Sequence, residues 1–420
     1  MIERMDALTT PSNWQRVRLG DMTTSFTKQT GFDYSASIKP TLTKEQLPNY
    51  IPFIQNKDFL GHYINYKTDY FIPNEIAIRF PQILLNEKCL LISISGAIGN
   101  VAVFNHSQDA FIGGAIAVLK FKEKKSLDFV MHFLMSASGQ KLLLNSVKSS
   151  SHKNLTIADL RDLLIPLPPL NEQIAIANIL SDVDRYLYSL DALILKKESV
   201  KKALRIKMLN QILASNGVEF RELGDIILSL KTGLNPRSFF KLNTPNANNY
   251  YVTIRELEDY TIKFTHQTDR IDDNALFLCL KRSNLEKDDI LFSGTGTIGK
   301  VSIIEKNPNN WAIKEGIYSI KPNKKIVFPR FLMFCLESSN IQNDIKNKSF
   351  GGIVKSIPMN DLQQIQIPLP PLKEQIAIAN ILSGLDNEII SLKNKKRQFE
   401  NIKKALNHDL MSAKIRVLNK

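Results

Sequence analysis

The segment that comes nearest to a chemical motif is Gly294-Thr295-Gly296-Thr297-Ile298-Gly299-Lys300, which satisfies GxGxxG and most of a GxxxxGK[ST] phosphate loop. Such loops hold phosphate because backbone amides at a helix N-terminus converge on the anion and the helix dipole reinforces them. The next residues, Val301-Ser302-Ile303-Ile304, are a β-branched run that reads as strand, and Val301 stands where a hydroxyl would bind magnesium. An earlier segment, Ile94-Ser95-Gly96-Ala97-Ile98-Gly99-Asn100, repeats the plan with Ile94 at the first glycine position and Asn100 in place of Lys300. Both are expected to be tight strand-to-strand turns and not anion cradles. No NPPY-like tetrapeptide, HExxH or GxSxG occurs. Cys89, Cys279 and Cys335 are isolated thiols without CxxC spacing, and the six histidines are scattered singly. That pattern argues against a zinc site or a disulfide framework and for a reducing, cytoplasmic setting. No catalytic residue, metal or cofactor is expected on this chain.

The elements that would position any site come in duplicate. Ile165 to Asp184 reads IPLPPLNEQIAIANILSDVD and Ile367 to Asp386 reads IPLPPLKEQIAIANILSGLD, 17 of 20 positions being identical at an offset of 202 residues. Such a period is far too long for a solenoid unit and fits a domain plus a helix. Leu19-Gly20-Asp21 is matched by Leu223-Gly224-Asp225, Asp159-Leu160 by Asp361-Leu362, and Lys201-Lys202-Ala203-Leu204 by Lys403-Lys404-Ala405-Leu406. Between these anchors the halves have diverged. The order is variable domain, constant segment, variable domain, constant segment: residues 1–164, 165–214, 215–366 and 367–420.

In each constant segment the prolines (Pro166, Pro168 and Pro169 in the first) impose an extended connector. A helix is expected from about Leu170, with Glu172 favoured in its first turn by the dipole. Apolar residues then recur at steps of four and three: Ile176, Leu180, Val183, Leu187, Leu190, Ile194, then Leu204 and Met208. The second copy continues the pattern with Ile378, Leu382, Leu385, Ile389, Leu392, Phe399, Leu406 and Leu410. Lys197, Lys201, Lys396 and Lys403 are polar exceptions in this heptad seam. Two such helices in one chain most simply pair as an antiparallel coiled coil, each about 60 Å long at roughly 1.5 Å per residue. The variable domains read as α+β. Strand-like runs at Cys89–Ile94, Val101–Phe104, Ile116–Phe121 and Val301–Ile304 are punctuated by glycine turns, and helical stretches come after them at Leu127–Leu144 and Phe331–Ile345.

The net charge of +14 and a pI near 9.4 point to a polyanionic partner, above all nucleic acid. Most of that charge lies on the helices: Arg185 to Ala214 and Asn387 to Arg416 together hold +10. The variable domains are close to neutral, so partners would have to supply part of any phosphate contact. No run of eighteen apolar residues suggests a membrane span, and the polar start MIERMDALTTPSNWQ is no secretory signal.

A duplicated IPLPPLxEQxxIAxxL block heading a long helix, set between diverged domains that each begin near LGD and contain an SGxxG-type turn, resembles the specificity (S) subunit of type I restriction-modification systems. The resemblance covers the whole chain. It implies two target-recognition domains, each reading one half of a split double-stranded DNA target, and helices that set their separation. It also implies docking of two methyltransferase (M) subunits, which bind S-adenosylmethionine, and of restriction (R) subunits through that core. The alternative it leaves is a specificity scaffold of a combined enzyme whose partner fuses nuclease and methyltransferase. DNA contacts are expected from polar loops of the variable domains. In the first these are Lys28, Gln29, Lys57, Lys148, His152, Lys153 and Asn154. In the second they are Lys231, Asn235, Arg237, Arg255, Arg282, Lys346, Lys348 and Lys355.

Overall fold

Each feature that recurs in the sequence recurs as a structural part. A computed structural model describes residues 13–28, 34–146, 154–214, 218–236, 239–352, 354–415 and 417. Contacts divide the chain into two units, Met1–Ser189 with Lys396–Lys420, and Leu190–Lys395.

The first unit is built on an antiparallel sheet of four strands in the order Thr23–Lys28, Ile116–Phe121, Cys89–Ser93, Val101–Phe104. Its central strands are apolar on both faces because both are covered. Leu90 and Ile92 enter one core with Phe129, Phe133 and the long-helix residues Ile176 and Leu180, whereas Cys89 and Leu91 enter a second core. That second core lies against a sheet ordered Phe71–Pro73, Tyr50–Ile54, Ala110–Ile112, Leu84–Leu85. The second unit repeats the plan with Ile227–Thr232, Ile317–Pro322, Ile290–Ser293 and Val301–Ile303, beside a sheet of Arg270–Ile271, Asn249–Val252 and Trp311–Ile313.

The expected strands are present, two of them a residue shorter than read (Cys89–Ser93 and Val301–Ile303). The helical stretches are each broken in two, Leu127–Met135 and Ala137–Asn145, then Pro329–Leu336 and Ser339–Asn347. The first break has a local cause. The Ser136 Oγ accepts from Gly139 N at 3.0 Å and so caps a new helix, satisfying an amide that the first helix would otherwise engage.

The anchor tripeptides have physical reasons. Leu19–Met22 and Leu223–Ile226 are single helical turns in which Leu19 and Leu223 are wholly buried. Leu19 N donates to Leu163 O at 2.8 Å and Leu223 N to Ile365 O at 2.9 Å. The glycine after each leucine admits the chain just ahead of each proline segment: a Cβ on Gly20 would stand 3.0 Å from Arg161 Cβ. The proline segments are extended as expected, and they also pair: Leu164–Leu167 lies antiparallel to Gln15–Arg18, and Gln366–Leu369 to Glu219–Glu222.

The proline segments lead into two helices, Leu170–Ala214 and Leu372–Met411. The Gln of each EQ pair explains the fixed sequence at their start. Gln173 Nε2 donates to Pro168 O at 2.7 Å, and Gln375 Nε2 to Pro370 O at 2.9 Å, so a buried side chain satisfies a carbonyl in the proline connector. Gln375 goes further, accepting from Phe328 N at 2.8 Å and donating to Ile326 O at 3.2 Å.

Within each unit the two helices run antiparallel along the expected seam. In the first unit, Asp184 pairs with Lys403 and the Tyr186 ring lies 4.6 Å from that of Phe399. In the second, Glu198 meets Lys393 at 2.7 Å, Lys197 meets Glu388 at 2.8 Å and Lys201 meets Asp386 at 2.5 Å. Three of the polar exceptions, Lys197, Lys201 and Lys403, are thus cross-helix partners, and Lys396 pairs with Glu400 on its own helix at 3.7 Å.

Trp14 and Trp311 lie in different units and can report on each separately. Gln375→Ala should destabilise the second unit by about 2–3 kcal/mol, since it orphans a buried amide and carbonyls, and Gln173→Ala the first by about 1 kcal/mol. Denaturant unfolding followed by each tryptophan checks the ranking. A second expectation concerns acid. Burial, with smaller contributions from His62 and Lys403, lowers the His132 pKa from 6.5 to about 3. The folded state therefore prefers neutral His132: its contribution is fully present above the unfolded value of about 6.5 and is lost as pH falls from there toward about 3. The corresponding residue in the second half is Phe334. Lowering the pH from 7 to 5 should cost the first unit about 2 kcal/mol through this group, and His132→Leu should remove that slope.

Candidate nucleic-acid interface

The paired glycine turns close the strand hairpins at one end of each main sheet. Strands Cys89–Ser93 and Val101–Phe104 are antiparallel neighbours, as are Ile290–Ser293 and Val301–Ile303. No helix begins at either turn, so the amides have no dipole behind them and the phosphate-loop reading stays refused. The two turns are held alike. Gly99 N donates to Ser93 O and Gly299 N to Ser293 O, each at 2.9 Å, and both serine hydroxyls reach into their turns, Ser93 to Ala97 O and Ser293 to Thr297 O.

A further pair, missed from sequence, braces them from behind. Gln140 Nε2 donates to Gly99 O and to Leu134 O, both at 2.9 Å. Gln342 Nε2 donates to Gly299 O at 2.9 Å and to Leu336 O at 2.7 Å. These glutamines stand at the same 202-residue offset as the constant segments, which was the one available signal. Gly299 has φ +91°, and a Cβ there would lie 2.3 Å from Gln342 Oε1, so the position requires glycine on both counts.

At the crest, Gly96 and Gly296 have φ +73° and +80°, and a Cβ on Gly296 would meet nothing within 4 Å. Bare backbone in open space suits close approach by a large ligand. Around the first crest, Asn56 Nδ2 donates to Ser95 O at 2.7 Å, Leu155 N to Ile94 O at 3.0 Å, and Asn154 bridges to Ser95. Lys57 is next to Asn56 on the same short turn. Around the second, Gly296 N donates to Lys355 O at 2.8 Å and Thr295 bridges to Ser356. Arg255 occupies the equivalent turn, Ile254–Glu256, and Lys300 Nζ reaches Ile254 O at 3.3 Å.

Of the expected contact residues, the structure therefore gathers Lys57 and Asn154 near one crest, and Arg255 and Lys355 near the other. Two of these cations already have acids: Lys57 pairs with Asp69, and Arg255 with Asp269 at 2.7 Å. The others are dispersed. Lys28 ends strand Thr23–Lys28, half-buried opposite Ala117, and Lys231 is exposed on a strand opposite Ser319. Asn235 is half-buried beyond Leu234, Arg282 is exposed in the last turn of helix Asp273–Ser283, and Lys346 is exposed in Ser339–Asn347. Lys348 is half-buried with its Nζ 3.3 Å from Gln364 Oε1. Gln29, Lys148, His152, Lys153 and Arg237 lie outside the described residues.

One cluster looks like nucleophile chemistry and is not arranged for it. His132 Nε2 is 3.0 Å from Ser181 Oγ, and His62 Nδ1 is 3.4 Å from Asp184 Oδ2. The carboxylate thus faces a different imidazole from the one at the hydroxyl, so no base is both oriented and aimed at the serine. Burial lowers both histidines, His132 to about 3, and favours their neutral forms. Burial likewise raises the thiols of Cys89 to about 12 and Cys279 to about 11, and that of Cys335 further, which disfavours thiolate. Among the described residues no group of three or more His, Cys, Asp or Glu could hold a metal, and no helix is long and apolar enough to cross a membrane.

Comparison with known proteins joins these observations. A family model, the type I restriction modification DNA specificity domain, matches twice, over residues 11–197 and 215–401. The chain is 25% identical over 441 aligned residues to the type I restriction enzyme MjaVIII specificity subunit of Methanocaldococcus jannaschii, covering 99% of this chain and 96% of that one. It is 27% identical to the EcoBI specificity subunit of Escherichia coli over 66% of this chain and 63% of that one. In fold it is similar to the S subunit of a type I restriction-modification system from M. genitalium, with TM-score 0.62, 18% identity, and coverage of 95% and 96%. Two matches to one family, falling on the two copies of one plan, place the chain in the type I restriction-modification specificity family, as a non-catalytic subunit that recognises the DNA target.

Proposed function

We propose that each domain reads one half of a bipartite target, that the constant helices set the unread gap, and that the same helices dock two methyltransferase subunits, through which restriction subunits join. The observation that carries this reading is the pattern of divergence. The seam, the proline connectors and the glycine turns with their glutamine braces are duplicated, whereas the loops beside the crests are not. A shared scaffold presenting two different polar surfaces is what two independent readouts require, because base identity is read by the side chains that reach base edges. The linear modules 1–164, 165–214, 215–366 and 367–420 belong to the same proposal, as do the fifteen expected contact residues, with Lys57, Asn154, Arg255 and Lys355 first among them.

Mapping methylated sites in cells that carry the partner subunits tests the modules. Exchanging residues 1–164 for the first domain of another family member should change one half-site and leave the other intact; a change in both would overturn the modular reading. Inserting four residues after Leu180, about 6 Å of helix, keeps the seam near register and should widen the gap by about one or two base pairs with both half-sites unchanged. An unaltered gap in an active variant would remove the helices as the ruler.

Alanine substitution sorts the crest residues. At a base contact it should cost roughly 1–3 kcal/mol and relax one position of the site, whereas at a phosphate contact it weakens all sequences alike and lowers the salt slope by about one. Binding titrations at several salt concentrations distinguish the two, and unchanged affinity at all four crest residues would move the interface elsewhere.

A further inference from the structure

The second unit carries an apolar point on a cationic loop. Phe350 N donates to Ser356 O at 2.9 Å and Ser356 N to Phe350 O at 2.8 Å, so the chain leaving Phe350 returns to pair with it at Ser356. Gly351, at φ +122°, makes the bend, and a Cβ there would lie 2.4 Å from Val354 O. The tip is fastened to the glycine crest, since Gly296 N donates to Lys355 O at 2.8 Å and Ile357 N to Gly294 O at 2.9 Å. On this braced base Phe350 is 60% exposed and Val354 59%. The surrounding stretch, residues 345–358, reads IKNKSFGGIVKSIP and contains Lys346, Lys348 and Lys355 with no acid.

Two large apolar side chains are held out in water on one braced tip, and the charge of the stretch indicates what kind of partner would suit them. A protein-docking patch usually spans several hundred square ångströms of apolar surface. Here the apolar part is a narrow tip in a stretch whose charged residues are all lysines, which matches a polyanion with an apolar interior. Stacked base pairs between phosphate chains have that character.

We propose that Phe350, with Val354 on the same tip, is a wedge that enters duplex DNA at one base step of the second half-site while Lys355 and Lys346 meet the flanking phosphates. The proposal rests on the DNA-target reading and adds a mode of recognition to it. Insertion partly unstacks a step, at a cost that depends on which bases form it, so this half-site is read in part through deformability. In the first half the segment before the constant block, Lys148-Ser149-Ser150-Ser151-His152-Lys153-Asn154, has no large apolar residue. The wedge therefore belongs to one half-site only.

The test uses the full chain assembled with its methyltransferase subunits and duplexes bearing its mapped target, with 2-aminopurine placed in turn along both half-sites. The wild-type complex should raise 2-aminopurine fluorescence at one step of the second half-site. Phe350→Ala should abolish that rise and weaken binding by about tenfold or more, leaving the slope of log affinity against log salt unchanged. A mismatch or abasic site at that step should restore binding to within about twofold, because the unstacking is already done. Lys355→Ala should instead weaken all duplexes and reduce the salt slope by about one. Phe350→Leu, which keeps apolar bulk, should retain part of the fluorescence rise, and Trp311 emission confirms that each variant is folded.

The wedge is overturned if no step of the second half-site brightens or if Phe350→Ala binds the target as well as wild type. It is also overturned if Phe350→Ala loses its methyltransferase subunits while the chain keeps its DNA affinity, since the tip would then be a protein contact. A wild-type complex with no sequence preference would instead remove the DNA-target reading on which the wedge rests.

Discussion

In each unit the helix seam turns on one lysine–aspartate pair, and both pairs come from the same two duplicated positions. Asp184 meets Lys403, and Asp386 meets Lys201 at 2.5 Å, each pair joining one copy of the constant segment to the other. All four side chains are at least three-quarters buried, with Asp184 only 5% exposed. Removing one partner of such a pair strands a charge away from water, at a cost on the order of 3–5 kcal/mol. An apolar seam alone tolerates slippage by a heptad, whereas a charge that finds its partner in one alignment does not. The pairs thus act as register marks on an otherwise repetitive surface, and burial of Leu410 and Met411 in the first unit's core reinforces the same alignment.

The marks also fasten the domains, and here the copies differ. In the second unit Lys201 Nζ donates to Tyr260 Oη at 2.8 Å, Tyr260 donates to Glu337 at 2.6 Å, and Arg205 closes the chain on Glu337 at 2.6 Å. In the first unit the corresponding reach is made by His62, 3.4 Å from Asp184. His62 and Tyr260 have the same backbone role, their carbonyls accepting from Val103 N and Ile303 N, each at 2.9 Å. Burial lowers the His62 pKa against the opposing pull of Asp184, which favours the neutral ring at this contact. Duplication kept the joint and divergence changed its chemistry, leaving the first joint with fewer charged partners.

The glycine crests show how one duplicated frame carries two different sets of neighbours. The hydrogen bonds the two turns share run through backbone, a serine and a glutamine, all duplicated, and the first copy alone adds one from Asn56 Nδ2 to Ser95 O. Those neighbours differ: Asn56, Lys57 and Asn154 around one crest, Arg255, Lys300 and Lys355 around the other. The ion pairs of Lys57 with Asp69 and of Arg255 with Asp269 hold these cations in place beside the crests.

The sequence by itself determined the duplication, the antiparallel seam, the proline connectors and the rejection of a phosphate loop. Each is a local or periodic property: apolar spacing of four and three, proline's missing amide, a β-branched run after a glycine turn. Family membership was legible for the same reason, since the repeated block is contiguous. The sequence could not show that Ser136 would break a helix, because a continuous apolar pattern masks a local cap. Nor could it show that Lys201 and Lys403 are seam partners and not solvated exceptions, or that Gln140 and Gln342 brace the crests. Those facts depend on residues far apart in the chain meeting in space. The position of the expected contact residues was the least legible of all. A lysine in a polar loop has the same local signature whether it faces solvent or a ligand, and packing alone brought Lys57, Asn154, Arg255 and Lys355 to the glycine crests while dispersing Lys28, Lys231 and Arg282.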